Sequence, residues 1–311
     1  MDVTVVGSCN IDLISYVPRL PKPGETLQGS KFSMGFGGKG ANQCAMTAKL
    51  GAKTAMVAKV GYDTFGEGFL KKFRELGVDT GHCSSTSEAM TGAAPICVDE
   101  TGQNSVVIVP GANLLLSEAD LEAAEEVISK SKVIICQLEI DPKVTLSALK
   151  MARKHKVMTI LNPAPAVHLE ADFLTNTDVF CPNETETEIL TGISIRTVEE
   201  AKAASEEMLR RGCNNVIITL GGLGCVVAQA GFSEVVHVSA PSVTVVDSTG
   251  AGDAFIGSLA YFLSVAPGLG LVESARRAVQ IASISVQHPG TMASFPTRSE
   301  LPDTLLQETS S

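Results

Sequence analysis

Several short segments of this chain combine residue types and spacings that suit chemistry on a phosphate and on a polar small molecule. The first is Asp247-Ser248-Thr249-Gly250-Ala251-Gly252-Asp253, which follows the apolar run Val243 to Val246. Small residues at 250–252 let backbone N–H groups converge at a helix start, a ready anion site. Asp253 then falls in the first helical turn beside that site. A carboxylate there repels a phosphate unless it has work to do, such as taking the proton of an attacking hydroxyl. The same residues also suit a plain glycine turn with Asp253 as a favourable first-turn charge.

Gly35-Phe36-Gly37-Gly38-Lys39-Gly40-Ala41-Asn42 contains G-x-G-x-x-G. A dinucleotide reading needs a buried strand before it, whereas residues 28–34 are polar and turn-like, so that reading is rejected. The P-loop pattern fails because Gly40 follows Lys39. What remains is a glycine turn opening a helix and presenting Lys39 and Asn42. Asn10-Ile11-Asp12 follows the first strand, and alternation puts Asn10 and Asp12 on one face. Amides and carboxylates at a strand's carboxyl end suit sugar hydroxyls, and Glu139, after the run 133–138, is a similar case. Asn183-Glu184-Thr185-Glu186 opens a further helix, where carboxylates answer the dipole or reach Mg²⁺ through water. The five histidines show no ligand spacing.

A frame must position these segments. Val- and Ile-rich runs at 3–6, 55–60, 133–138, 157–161, 179–181 and 216–220 alternate with helical periods at 41–50, 65–76, 118–129, 143–154, 198–210, 254–263 and 272–286. Strand, helix, strand repeated in this way predicts an α/β fold with a parallel sheet covered by helices on both faces. Residues 13–35, with three prolines, and 86–110, two strands about the turn Asp99-Glu100-Thr101-Gly102, break the alternation. They predict either a small β lid over the strand ends or two unrelated hairpins. The lid reading divides the chain into a body of residues 1–12, 36–85 and 111–311 and a lid of 13–35 and 86–110. The tail after Leu301 is expected to fray.

The 311 residues suit one large domain, and 44% apolar residues can bury a sizeable core. A net charge of −10 with no basic run disfavours nucleic acid. No segment reaches the roughly 18–20 apolar residues of a membrane span, and the N-terminus lacks signal-peptide character. The eight cysteines are scattered, without a C-x-x-C pair, and read as reduced core thiols in a cytoplasmic protein.

Together, DSTGAGD at 247–253 and GFGGKGANQCA at 35–45 resemble the two signature segments of PfkB-type carbohydrate kinases. The likeness runs nearly end to end. Asn10-Ile11-Asp12, Gly37 to Asn42, Gln137-Leu138-Glu139, Asn162-Pro163-Ala164-Pro165 and Asn183 to Glu186 are similar to the ribose-acting branch of that family. The resemblance implies a three-layer αβα fold with a doubly wound, mostly parallel sheet and a β lid. It implies phosphoryl transfer from ATP to the O5 hydroxyl of D-ribose, with Mg²⁺, and activation by K⁺. Asp253 would be the base, and Gly250, Ala251 and Gly252 would form the anion hole with it. Asn10, Asp12, Gly38, Lys39, Asn42 and Glu139 would hold the sugar. Asn183 and Thr219, Leu220, Gly221, Gly222, Leu223 and Gly224 would lie along the nucleotide, with Glu186 acting on Mg²⁺ from one step behind. The monovalent cation would take oxygens of Asp247, Thr249, Ser285, His288, Gly290 and Ser294. Val279 departs from the pattern, standing where Asn or His is expected beside the adenine. A homodimer through the lid edge is also implied by its unpaired strand groups. Within the family, fructose or adenosine are rival acceptors. The polar pocket favours a small polyol, since few aromatics are available to flank a base. A sugar-binding pseudokinase is the rival outside catalysis.

Overall fold

The structure, a computed structural model, describes residues 1–307. The chain starts in β1 (Val3–Val6), wholly buried, and passes at once into β2 (Asn10–Tyr16), which leaves the main sheet for a smaller one. A proline-rich excursion returns as β3 (Lys31–Gly37), antiparallel to β2, and opens α1 (Lys39–Lys49). β4 (Thr54–Gly61), α2 (Thr64–Glu75) and β5 (Asp79–Thr86) follow, with Asp63 capping α2 by accepting from Gly66 N–H. β6 (Gly92–Val98) and β7 (Asn104–Val106) return to the small sheet. Asp99 closes the turn between them by accepting from the amides of Thr101 and Gln103.

A regular alternation then begins: α3 (Glu118–Ala123), α4 (Glu125–Ser129), β8 (Val133–Cys136), α5 (Pro142–Lys154), β9 (Met158–Leu161), α6 (Ala171–Thr175) and β10 (Val179–Phe180). It continues through α7 (Glu184–Thr191), α8 (Val198–Arg210) and β11 (Asn215–Thr219). β12 (Cys225–Gln229) and β13 (Val236–Val238) meander antiparallel beyond it. The chain closes with α9 (Ala251–Val265), α10 (Gly270–Ser285) and α11 (Asp303–Leu306).

The main sheet has nine strands in the order β13-β12-β11-β10-β9-β8-β1-β4-β5, parallel from β11 to β5. Side chains alternate faces along each strand. Val3 and Val5 of β1 therefore enter one core with α1, α2, α9 and α10, while Val6 enters a second with α5 and α8. Two apolar layers on one buried sheet give three layers, αβα. The small sheet, in the order β3-β2-β6-β7, is rooted at the carboxyl end of β1 through the three residues Gly7 to Cys9.

Several expectations need correction. Asn10 and Asp12 begin the lid strand β2 instead of ending β1, so the first of the two segments forming the small sheet runs from Asn10 to Gly37. A strand does precede the glycine turn, but β3 is an exposed edge and not the buried strand a dinucleotide site requires. The apolar run Val243 to Val246, for which no element was expected, lies outside any strand, with Val245 and Val246 each 60% exposed. The helix expected over 118–129 breaks at Ala124. β5, β12 and β13 were not anticipated, being short or polar strands towards the sheet's two ends. The tail does not fray at Leu301: Leu305 is buried, and Arg277 donates to the carbonyls of Leu305 and Gln307. Its last residues, 308–311, lie outside the described ones. No single helix among the described residues is long and apolar enough to cross a membrane.

Candidate active site

The carboxyl ends of β8, β9, β10 and β11 face the first turns of α1, α7 and α9, and the chemistry-bearing residues collect there. Gly250 caps α9 at φ 80°, a left-handed conformation that a side chain would resist. The turn sets Asp253 one step into the helix, 8% exposed. Its two carboxylate oxygens are held from α1: Asn42 Nδ2 donates to Oδ2 and Gln43 Nε2 to Oδ1, each at 2.9 Å. α1 itself starts from Gly38 at φ 87°, packed so closely on β2 that a Cβ there would sit 2.7 Å from Asn10 N.

Glu139, just past β8, ties this turn to the lid root. Its Oε2 accepts from Ser8 Oγ at 2.6 Å, from Lys39 N–H at 2.8 Å and, at 3.5 Å, from Asn10 Nδ2. Asn10 Oδ1 in turn accepts from the buried Asn113 Nδ2 at 2.7 Å. Asp12 follows two residues along β2 on the same face.

These groups act on each other electrostatically. Burial pushes the Asp12 carboxyl up to about 6, helped by the nearby charges of Glu139 and Asp253. Burial also raises Asp253, opposed by the Lys39 ammonium and by the two amides of Asn42 and Gln43. Glu186 is raised by burial, against the Asn183 N–H and Lys39. Lys39 shows the reverse balance. Burial works to lower it, but the carboxylates of Asp253, Glu139 and Glu186 win and raise it, so the lysine stays charged.

A cavity of about 170 Å³ opens beside Asp253. Lys39, Asn183, Glu186, Thr219, Gly250, Ala251, Gly252 and Asp253 all line it, as do Asn162, Cys181 and Ser248. Asn183 caps α7 reciprocally with Glu186: Asn183 Oδ1 accepts from Glu186 N–H at 2.8 Å, and Glu186 Oε2 from Asn183 N–H at 2.9 Å.

The expected residues thus fall into four groups. Gly250 to Asp253, Lys39, Asn183, Glu186 and Thr219 share the cavity, and Asn10, Gly38, Asn42 and Glu139 form the bonded cluster against it. Leu220 to Gly224 turn away in a 3₁₀ segment beyond β11, with Leu223 half exposed, and do not wall the cavity. Asp247 accepts from Thr249 N–H at 2.9 Å and Gly290 N–H at 2.8 Å, which joins the loop before α9 to the loop after α10. Ser285, His288, Gly290 and Ser294 lie on that second loop or at its start, while Val279 is buried in the core on α10.

Residue-by-residue reading of the sequence missed Ser8, Gln43, Asn113, Asn162 and Ser248. Gln43 is the one with a local signal, since it follows Asn42 on the same first turn of α1. The others enter through pairings more than 100 residues apart, or from a loop.

The assembly joins a helix start rich in free amides to a buried carboxylate, and beyond that to a cluster of side chains suited to hydroxyls. That combination fits transfer of a phosphoryl group to an alcohol.

Comparison with known proteins agrees. A family model described as pfkB family carbohydrate kinase matches residues 1–298. Ribokinase of Mus musculus is 48% identical over 301 residues, 96% of this chain and 93% of its own. Deoxyribokinase of Salmonella typhi is 40% identical over 298 residues, covering 95% and 96%. The structure of Arabidopsis thaliana ribokinase complexed with ribose and ATP is similar at a TM-score of 0.90 with 32% identity, covering 98% of both chains. With one family's model matched across residues 1–298 and relatives aligned over nearly their full lengths, the chain belongs to the pfkB family of carbohydrate kinases.

Proposed function

We propose that this protein phosphorylates D-ribose at O5 with ATP, giving D-ribose 5-phosphate and ADP. One observation carries the reading: Asp253, gripped by Asn42 and Gln43, sits between the amide-rich start of α9 and the polar cluster of Asn10, Lys39, Asn42 and Glu139. The sugar lies in that cluster, with Asp12 above it on the lid. The O5 oxygen attacks the γ-phosphorus, and its proton passes to the Asp253 carboxylate. The bond from the γ-phosphorus to the β,γ-bridging oxygen breaks, and ADP leaves with that oxygen. The amides of Gly250 to Asp253 and the Lys39 ammonium gather the charge on the migrating group. A loose transition state asks for proton removal only late, so a weak carboxylate base suffices. Asn183 and Thr219 border the nucleotide side of the cavity, and Leu220 to Gly224 line the approach outside it.

Mg²⁺ fits this site through oxygen ligands: Glu186 lines the cavity with one oxygen already held by Asn183 N–H. When bound with ATP, the ion neutralises phosphate charge. K⁺ fits the joined loops, where Asp247 holds Thr249 and Gly290 in place and the available donors of Ser285, His288, Gly290 and Ser294 include backbone oxygens. The exposed apolar edge strands of the lid support a homodimer through it. The eight free thiols, mostly buried, support a reducing compartment such as the cytoplasm.

Direct detection of ribose 5-phosphate from ATP, Mg²⁺ and D-ribose, with and without potassium, tests the reading. 2-Deoxyribose, fructose and adenosine run in parallel. Potassium-stimulated turnover on ribose well above the others is the expected result. Preference for another acceptor moves the sugar assignment, and ribose binding without ADP formation makes the protein a sensor.

A further inference from the structure

The mechanism uses Asp253 but not the buried amides packed behind it. Gln43 and Gln137 are both fully buried. Gln43 Nε2 donates to Asp253 Oδ1 at 2.9 Å and to Asn162 Oδ1 at 3.1 Å, which engages both of its protons. Gln137 Nε2 donates to Gln43 Oε1 at 2.7 Å. The Gln43 amide therefore has one orientation. Turned over, it would set its oxygen against the Asp253 carboxylate and its protons against those of Gln137.

Asn162 is itself fixed, its Nδ2 donating to Cys181 O at 3.0 Å. Gln137 is anchored through its main chain, whose carbonyl accepts from Thr145 Oγ1 at 2.9 Å, while its side-chain Oε1 has no hydrogen-bond partner among the described residues. One side chain of α1 thus connects residues at the ends of β8, β9 and β10 to a carboxylate on α9. Asn42 holds the other oxygen, so the rotation of the carboxylate is set from two directions.

We propose that Gln43, oriented by Gln137 and Asn162, is a positioning residue that sets the rotation of the Asp253 carboxylate for proton transfer from the sugar hydroxyl. This rests on the reading of Asp253 as base. Gln43 acts only through Asp253. The charged groups facing the carboxylate are Lys39 of α1, Glu139 after β8, Glu186 of α7 and Asp12 of β2. Removing an amide donor withdraws support from the charged carboxylate, so the base takes a proton at higher pH. The acid limb of the kcat profile then moves upward.

The test compares Gln43→Met, Gln137→Met, Asp253→Asn and the two double variants that join Asp253→Asn to each glutamine substitution, all in the full chain. Gln43→Met should lower kcat by about 10-fold, leave the ribose KM within about twofold, and move the acid limb to higher pH. Gln137→Met should act in the same direction and less strongly. On the Asp253→Asn background neither glutamine variant should lower kcat further, because residues acting as a unit are not additive. Wild-type kcat and pH profile in folded Gln43→Met, or a loss that persists on the Asp253→Asn background, overturns the proposal. Wild-type turnover in Asp253→Asn removes the base reading itself. An inactive Asp253→Asn beside normal glutamine variants removes only the positioning role. If Gln43→Met does not fold, Gln137→Met carries the same pH and additivity readouts.

Discussion

Asn42 Nδ2 donates to Asp253 Oδ2 at 2.9 Å across 211 residues of chain. A side chain of the polar cluster and the buried carboxylate are thereby one unit, and the two helix starts that carry them cannot move apart independently. Asp253→Asn keeps the shape and removes the charge. It should lower kcat by at least ~10²-fold while ribose affinity is largely kept. Steady-state kinetics with direct ADP detection decides it, and turnover like the wild type would take Asp253 out of the base role.

Asp12 makes affinity depend on pH. Its carboxyl is pushed up to about 6 by burial and by Glu139 and Asp253. A protonated Asp12 loses an acceptor for the sugar, so ribose KM should rise as pH falls through about 6. The folded state binds this proton more readily than the unfolded chain, so the stability that protonation supports is lost as pH rises through the same value. Asp12→Asn should therefore raise the melting temperature at neutral pH and weaken ribose binding, with a flatter KM–pH curve. Melting that falls, or an unchanged ribose KM, would contradict the assignment.

Gly38 links the lid root to α1. At φ 87° a Cβ would sit 2.7 Å from Asn10 N, so Gly38→Ala meets both backbone strain and a clash with main chain. About 1–3 kcal/mol of destabilisation is expected. Because the atoms met belong to Cys9 and Asn10 at the lid root, and the N–H of the adjoining Lys39 bonds Glu139, ribose KM should rise more than ATP KM. Equal changes in both would place the effect in general unfolding.

The parts of this molecule legible in the sequence are those governed by local rules. Buried β1, β8 and β11 announce themselves by continuous Val and Ile, and the glycines of 250–252 by the turn they permit. β5, with the sequence DTGHCSST, carries no such run and is defined by its register against β4. Val243 to Val246 carry the run but find no strand to pair with, and stay exposed. The same divide separates site residues. Asp253 and Lys39 belong to recognisable segments, whereas Asn113 acquires its role only by meeting Cys9 and Asn10 across more than 100 residues. No local pattern encodes such a pairing.

The lid sheet ends in two edge strands with exposed apolar side chains: Phe32 and Met34 on β3, and Val106 on β7, followed by Val107 to Val109. Open strand edges with apolar groups invite pairing with another chain. Phe32→Asp with Met34→Lys should shift the protein towards a monomer in sedimentation velocity while the main fold melts near the wild-type temperature. A monomer before any substitution would leave the lid without the proposed second copy.

Lys49 supports the helix start from behind. Its ammonium donates to the carbonyls of Met292 and Phe295, each at 2.7 Å, from the last turn of α1. The segment it grips backs the Gly250 turn, where a Cβ would meet Phe295 and Thr291 at 3.3 Å. Asp247 holds the same segment at Gly290, and Thr291 Oγ1 donates to Phe36 O of the lid at 3.1 Å. Lys49→Met leaves two carbonyls without their donor and should destabilise the fold by about 1–3 kcal/mol. If this segment also shapes the proposed potassium site, the potassium needed for half-activation should rise severalfold while ribose KM stays near its wild-type value. Lys49→Arg keeps a charged donor and should recover part of the activation. The potassium titration separates the two effects: a lower melting temperature with an unchanged titration would make Lys49 a strut of the fold and nothing more.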